Sequence, residues 1–364
     1  MSVERIAETF TQLVQIDSPT GFEQPMATDV VRRLEAIGLT AAIDPVGNVR
    51  SFLPGDDSKE PFMLNAHLDT VEPGRGIRPR VDGDGNIFSA GDTILGADNK
   101  AALTVILETV TRLKERRNTT HHPLDLVFTV CEEAGNDGAH GLDYETIRSK
   151  RGFILDKSDS VLGTVVTASP YYNRFDIAIT GVSSHASRPD LAQNAVVIFQ
   201  NGLEGIRLGR ISADTLVNIG YIQAGQEKGT RNTIPGELIV KGEIRSMSPE
   251  ELGSQSTLIR TVFEDSAQRL GSHAEVDIVN ENGGYRFDPQ DPFLQRAAAI
   301  FRQHGLEPQF EEAWGCYEAN IFAEHGIMMV NMADGTKYTH TVRETVNVND
   351  LVKLTEVLFS LVTV

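Results

Sequence analysis

Apolar positions along the chain switch repeatedly between helical and extended spacing. Residues 3–14 and 25–37 read as helices; in the second, Met26, Val30, Leu34 and Ile37 recur on one face and Gly38 supplies a stop. Residues 40–53 read as a hairpin with Gly47-Asn48 at its turn. Phe62 to Ala66 reads as a buried strand. A helix from Asn99 to about Arg117 carries Leu103, Ile106, Leu107, Val110 and Leu113 on one face. Leu124 to Val130 alternates and then turns wholly apolar, as a central strand does. Strands alternating with helices predict an α/β architecture with helices on both faces of a mixed sheet.

The pattern changes near residue 169. Tyr172 to Thr180 alternates as a strand, a helix follows at about 191–206, and strands fall near 216–223 and 236–245. A second helix runs from about Pro249 to Leu270 and a strand from Ala274 to Val279. That order, β-α-β-β-α-β, is ferredoxin-like. After Gly283-Gly284 the earlier pattern returns. A helix spans about Pro292 to His304, Gly326 to Met332 reads as a buried strand, and Asn349 is placed to cap a last helix with Leu351, Leu354, Leu358 and Leu361 on one face. The predicted domains are therefore a discontinuous one, residues 1–169 and 283–364, and an inserted α+β one, residues 170–282. The polar, Gly-rich loop 72–96 is long enough to suggest a function of its own.

A chain of 364 residues accommodates two cores. Its net charge of −18 argues against binding nucleic acid or an anionic membrane by charge. Cys131 and Cys316 are the two cysteines and allow at most one bridge, so a reducing cytoplasm is the simpler expectation. Met1 to Arg5 shows no basic segment leading into an apolar run, so no signal peptide is expected, and no apolar run reaches the length of a membrane span.

Candidate chemistry collects at strand ends. His67 ends the strand from Phe62, and Asp69 lies on the same side of an extended chain, where it could supply the acceptor that a metal-ligating imidazole needs. By itself this pair fits a plain strand-end histidine as well. Gly96-Ala97-Asp98-Asn99-Lys100 opens a helix, Cys131-Glu132-Glu133 ends a strand, Asp156 ends Phe153-Ile154-Leu155-Asp156, and His340 stands in Tyr338-Thr339-His340-Thr341. Read singly, Asp98 is a helix-start acid and His340 a loop histidine. Read together, two histidines and several carboxylates are donors suited to a two-metal site.

In this order, from Asp17-Ser18-Pro19-Thr20-Gly21 to the final helix, the motifs resemble those of the M20 family of dinuclear zinc peptidases and amidohydrolases, and most closely its peptidase T-like members. The resemblance implies a zinc-exopeptidase-like catalytic domain with an inserted ferredoxin-like lid. It implies two Zn2+ per chain, with cobalt or manganese as alternatives, and a homodimer formed through the lid. His67 and Asp156 would hold one metal, Glu133 and His340 the other, and Asp98 would bridge them. Glu132 would be the general base that activates a water between the metals and passes its proton to the leaving amine, and Asp69 would act through His67. In the lid, His185 would reach the substrate carbonyl, and Asn232 and Arg245 would bind a substrate carboxylate or carbonyl. The plain alternatives are an acidic loop at Glu132-Glu133, a turn histidine at His185, and a salt bridge within the lid at Arg245.

The sequence departs from the family in two places. Trp314-Gly315-Cys316-Tyr317-Glu318-Ala319-Asn320 stands where relatives usually show a Gly-rich run ending in Asp, and Asn99 replaces a more usual Asp. Both changes bear on substrate identity, with Gly315 and Arg245 as the pocket residues concerned. The leading expectation is metal-dependent hydrolysis of amide bonds in short peptides by a peptidase T-like aminopeptidase. An M20-type deacylase or carboxypeptidase acting on N-acyl amino acids shares every metal ligand and stands as the alternative. A metal-binding protein without catalysis is the reading from another class, and Glu132 argues against it.

Overall fold

The central strands are those whose sequences leave no polar face. Every residue of Phe62–His67 and Leu124–Thr129 is buried, so both faces of these strands are covered. The computed structural model of the protein describes residues 3–116, 118–225 and 231–364. Four strands run parallel, in the order Leu124–Thr129, Phe62–His67, Arg151–Lys157, Met328–Ala333. Ala41–Ile43 and Val49–Leu53 extend the sheet antiparallel on one side, and Thr164–Ser169 on the other, where Gln309–Glu312 also pairs. The sheet is mixed, as the sequence pattern predicts.

Helices Val3–Val14, Ala97–Glu115 and Val348–Val362 pack on one another. Their apolar faces share one core with Leu64, Phe128 and Phe153. The expected end of the middle helix near Arg117 lies outside the described residues. Because the four central strands are parallel, their C-terminal ends reach one edge of the sheet, which is where α/β sheets bind ligands. His67 ends one strand and Asp156 lies at the end of another. Thr129 leads into Glu132-Glu133, and Ala333 leads into the turn that carries His340.

The chain divides into two compact units: residues 1–167, 287–313 and 317–364 form the first, and residues 168–286 with 314–316 form the second. The sequence pattern had placed residues 283–286 and 314–316 with the first unit. The Ser169 hydroxyl donates to the Gly315 carbonyl at 2.8 Å and the Arg245 guanidinium to that of Trp314 at 2.8 Å, which ties the short segment to the second unit instead. Unit 2 is an antiparallel sheet in the order Gly209–Arg210, Thr215–Ala224, Glu237–Ser246, Tyr171–Thr180, His273–Asn282. Helices Ala195–Leu203 and Pro249–Arg269 pack on each other and on this sheet, over a core that includes Phe175, Ile177, Ile198, Val240 and Phe263. Its four long strands have the split β-α-β order.

Three local readings change. The loop 72–96 contains two strands, Pro79–Val81 and Asn86–Ser89, which pair with each other, and Asn86–Ser89 also pairs with Thr345–Asn347. The helix expected at about 191–206 is Ala195–Leu203, started by Asn194, whose side chain accepts the N–H of Val196. The final helix is capped by Asn347, not Asn349: the Asn347 side-chain oxygen accepts the N–H of Asn349 at 2.9 Å. No helix among the described residues is long and apolar enough to cross a membrane.

Removing the Asn347 cap should lower stability by about 1 kcal/mol or more. Its amide also donates to the Asp84 carbonyl and the Asn86 side chain, so the loss includes the pairing of the small sheet. Urea unfolding of Asn347→Ala and Asn349→Ala checks this; an equal loss in both variants would show that the cap is misassigned.

Candidate active site

His67 is 1% exposed at the end of its strand. Its Nδ1 lies 3.0 Å from the backbone carbonyl of Asp69 and 3.3 Å from the Asp69 carboxylate. Its Nε2 faces Asp98 Oδ1 at 3.1 Å and Asp156 Oδ1 at 3.7 Å. Burial opposes a charge on this imidazole, but the carboxylates of Asp156, Asp69 and Asp98 outweigh it and raise the pKa well above the ordinary value. Asp69 does more than the sequence shows. Its two oxygens also accept the N–H groups of Glu132 at 3.0 Å and Glu133 at 3.2 Å, and the Thr20 hydroxyl at 2.8 Å. Burial pushes its pKa up, and these bonds together with His67 bring it below the ordinary value.

Asp98 stands between the two histidines. While its Oδ1 meets His67, its Oδ2 lies 3.5 Å from His340 Nε2. Burial disfavours the charged form, but His340 and His67 hold Asp98 below the usual carboxylate range. His340 also meets Glu133 Oε1 at 2.8 Å. Hydrogen bonds to Asp98 and Glu133 lift the His340 pKa from 6.5 to about 10. Asp156 is pushed up to about 6, first by burial and further by Asp98 and Glu133, with His67 opposing. The ligand atoms form two triads, His67 with Asp98 and Asp156, and Asp98 with Glu133 and His340, each with its atoms within 4.8 Å of one another. Asp98 belongs to both. His67, Glu132 and Glu133 form a third such group, so proximity alone does not separate Glu132 from Glu133. Hydrogen bonding does. Glu133 is bound to His340, whereas the half-buried Glu132 carboxylate accepts no hydrogen bond from a described residue. Burial raises its pKa well above the ordinary value; His67 opposes this, and Asp156, Glu133 and Glu318 add to it.

The donor set fits divalent cations. It offers imidazole nitrogens and carboxylate oxygens, and no lysine or arginine among the described residues pairs with Asp98, Glu132, Glu133 or Asp156. Asn99 donates its amide to Asp156 Oδ1 at 3.3 Å, a bond that a carboxylate at that position could not make, while its own oxygen is buried without a partner.

Several residues around the site were given no role by the sequence reading. Glu344 accepts the N–H groups of Leu95, Gly96 and Asp98. Glu23 accepts those of Gly21 and Cys131. Asp159 accepts the N–H of Tyr338 and the hydroxyl of Thr339, beside His340. Glu318 is 1% exposed, has an oxygen without a partner, and is pushed up to about 7 by burial. Lys100 is fully buried and donates to the Ile16 carbonyl at 2.8 Å; burial pulls its pKa down to about 7 against the pull of Asp17 and Glu344. The DSPTG stretch and the run into Glu344 were the available signals, because both abut motifs already singled out.

Within unit 2, His185 and Asn232 come together. Strand Ser184–His185 pairs with Thr233–Ile234, and the Asn232 amide lies 3.5 Å from His185 Nε2. Both side chains are exposed. Arg245 is already engaged: it donates to Glu243 and to the Trp314 carbonyl, and lies 4.8 Å over the Tyr172 ring. Gly315 uses its carbonyl to accept from Ser169.

The sequence profile of Peptidase family M20/M25/M40 matches residues 63–364. The uncharacterized protein YqjE of Bacillus subtilis (strain 168) is 32% identical over 368 residues, spanning 99% of this chain and 98% of that protein. The crystal structure of aminopeptidase PepT from Bacillus cereus ATCC 10987 matches with a TM-score of 0.93 and 31% identity, covering 100% of this chain and 98% of that one. That of a tripeptidase from Staphylococcus aureus subsp. aureus Mu50 matches with a TM-score of 0.95 and 30% identity, with the same coverage. Two donor triads at the carboxyl edge of a mixed sheet, a profile spanning most of the chain and a relative aligned end to end agree: the chain belongs to peptidase family M20, among its peptidase T-like members.

Proposed function

We propose that the protein hydrolyses amide bonds in short peptides as a two-metal aminopeptidase, with zinc as the first candidate metal. The observation that carries this reading is Asp98, one carboxylate shared between two donor triads. Two cations there would supply the positive charge that acidifies an attacking water and stabilises the tetrahedral oxyanion. The chain's own residues do the rest. Asp69 fixes the His67 ring with Nε2 toward Asp98 and Asp156, and aims the Glu132-Glu133 turn through two N–H bonds. Glu132, whose carboxylate accepts no hydrogen bond from a described residue, takes the proton of the attacking water and delivers it to the leaving nitrogen. His185 and Asn232, adjacent and exposed in unit 2, polarise and orient the substrate carbonyl. The names of the two solved structures, an aminopeptidase and a tripeptidase, support the choice of a free N-terminus and a short peptide. Exposed Leu191, Val196 and Val197 support the expected homodimer through unit 2.

Three measurements test these assignments. Zinc titration should reach about two ions per chain; saturation at one would remove the bridging role of Asp98. Binding should release protons at mildly alkaline pH, because a ligating imidazole must be neutral. In the metal-free protein His340 has a folded pKa of about 10 against an ordinary 6.5. Its contribution to stability is therefore full below about 6.5 and is lost as the pH rises toward about 10. The melting temperature of chelator-treated protein should lose its margin over His340→Gln across that window, and a constant margin would contradict it.

Glu132→Gln should keep both zinc ions and lose about 10²–10⁴-fold in kcat. Glu133→Gln should bind one zinc more weakly and recover activity as zinc rises. Loss of metal from Glu132→Gln would exchange the two roles. Full activity of that variant on a tripeptide panel would remove Glu132 as the general base, and equal cleavage of N-acylated tripeptides by the wild type would turn the reading toward a deacylase.

Arg245→Ala separates two readings of that residue. As a carboxylate receiver it should raise KM for free-carboxylate peptides at unchanged metal content. If unit 2 only loses stability and KM stays fixed, Arg245 is a structural ion pair with Glu243.

A further inference from the structure

Glu344 is 1% exposed and spends both carboxylate oxygens on one short backbone segment. Its Oε2 accepts the N–H groups of Leu95 at 2.8 Å and Gly96 at 2.7 Å, and its Oε1 accepts that of Asp98 at 3.0 Å. The segment needs an external acceptor. Gly96 precedes the helix Ala97–Glu115 in a left-handed conformation, φ 71°, and provides no side-chain cap. A Cβ there would press on Ile77 and Thr70 at 3.3 Å, so a capping side chain has no room. The first N–H groups of a helix otherwise lack partners, and an anion is favoured at that end.

The helix does not fix the direction of Asp98. Asp98 and Asn99 have non-helical backbone angles, φ −80° and ψ 104°, φ −118° and ψ 33°, although they lie inside the helical segment. Asp98 is therefore aimed by whatever holds its N–H. Glu344 also belongs to the hairpin that carries His340. Lys337 and Thr345 exchange backbone hydrogen bonds at 2.9 and 3.0 Å, and the Glu344 N–H donates to the Thr341 carbonyl at 3.0 Å. One carboxylate thus ties the turn bearing Asp98 to the hairpin bearing His340, though the two are far apart in sequence.

We infer that Glu344 is a positioning residue for the two-metal site: it sets Asp98 in register with His340, so that the Asp98/Glu133/His340 triad closes on a cation. The inference rests on the bridging role proposed for Asp98. It assigns Glu344 no contact with substrate or metal. Its loss should weaken the position shared with His340 more than the one at His67 and Asp156, because His67 is held independently by Asp69.

The test is zinc binding, not turnover. Chelator-stripped wild type, Glu344→Gln, Glu344→Asp and a core control, Leu358→Ala, are titrated with zinc against a chromophoric competitor, and their metal-free melting temperatures are recorded. In Glu344→Gln an amide N–H must face one of the three backbone donors. One of the two zinc steps should then weaken by about 10–100-fold, the range for groups that orient ligands, while the other moves by less than about threefold. Glu344→Asp keeps the charge on a shorter arm and should recover part of the loss. Leu358→Ala should melt earlier with both zinc constants unchanged. Cobalt titration adds a spectroscopic reading: the visible bands of the second equivalent should change in Glu344→Gln and those of the first should persist. If both zinc constants of Glu344→Gln match wild type while its melting temperature falls, Glu344 is only structural and the inference fails. Should that variant not fold, Glu344→Asp decides, with wild-type zinc constants again overturning it. One zinc per wild-type chain would instead overturn the bridging reading, and the positioning role with it.

Discussion

The Asp69 carboxylate holds two separate pieces of chain in one place. It is fully buried, yet it faces His67 on one side and receives the N–H groups of Glu132 and Glu133 and the Thr20 hydroxyl on the other. A buried carboxylate with few partners is costly to keep charged, and one that accepts several hydrogen bonds is stabilised as the anion. The bonds win here, because the Asp69 pKa ends below its ordinary value in spite of burial. The strand end that carries His67 and the turn that carries Glu132-Glu133 therefore behave as one hydrogen-bonded body. A shift in either would leave an unpaired charge inside the protein.

The same device recurs at each turn of the site. Glu23 receives the N–H of Cys131, Asp159 those groups of the Tyr338-Thr339 turn, and Glu344 those of the Leu95–Asp98 segment. The cause is topological. Parallel strands stop at one edge, and beyond that edge the chain has N–H groups that no ladder can satisfy. Carboxylates from distant segments fill the deficit. The turns they hold are strained: Cys131, Tyr338 and His340 have φ of 54°, 57° and 60° without being glycine. Such conformations persist when the surroundings over-determine them. Strain, backbone deficit and buried acids are thus a single arrangement, made where strands end.

This explains what could be read from the sequence and what could not. The four central strands are largely apolar runs, so their ends are visible, and His67 and Asp156 stand out as polar residues at those ends. Glu132 and Glu133 follow Leu124–Thr129 for the same reason. Asp98 and His340 are local helix-start and loop residues, and only the ordered set of motifs raised them above that. The supporting acids were given no role, although some abut the motifs. Glu344 acts on residues 246 to 249 positions away, and nothing in its neighbourhood announces burial. The strands inside loop 72–96 were missed on similar grounds, since they are short and their third partner is Thr345–Asn347. The misplaced cap was a different failure. Asn347 and Asn349 both suit a helix start, and the pairing of Asn347 with Asn86 through the small sheet decides between them. The segment Trp314–Cys316 was assigned by its place in the chain, whereas the donors of Ser169 and Arg245 assign it to unit 2.

The balance of charge links stability to function. Asp98, Glu132, Glu133 and Asp156 crowd together with no lysine or arginine among the described residues paired to them, and Glu318 lies close enough to raise the Glu132 pKa. A buried amine, Lys100, is turned to the Ile16 carbonyl and flanked by Asp17 and Glu344. In the metal-free protein the acids are relieved by protons instead: His67 and His340 are driven toward their charged forms, and Asp156 and Glu132 toward their neutral ones. Asn99 fits the same economy, supplying Asp156 with a donor where another carboxylate would add charge. An arginine in the cluster would remove the repulsion at once, but it would occupy the positions that cations need. Crowding acids without a fixed cation costs stability in the metal-free state and favours cation binding through the same electrostatic energy, because a bound cation relieves the repulsion that protons relieve only in part.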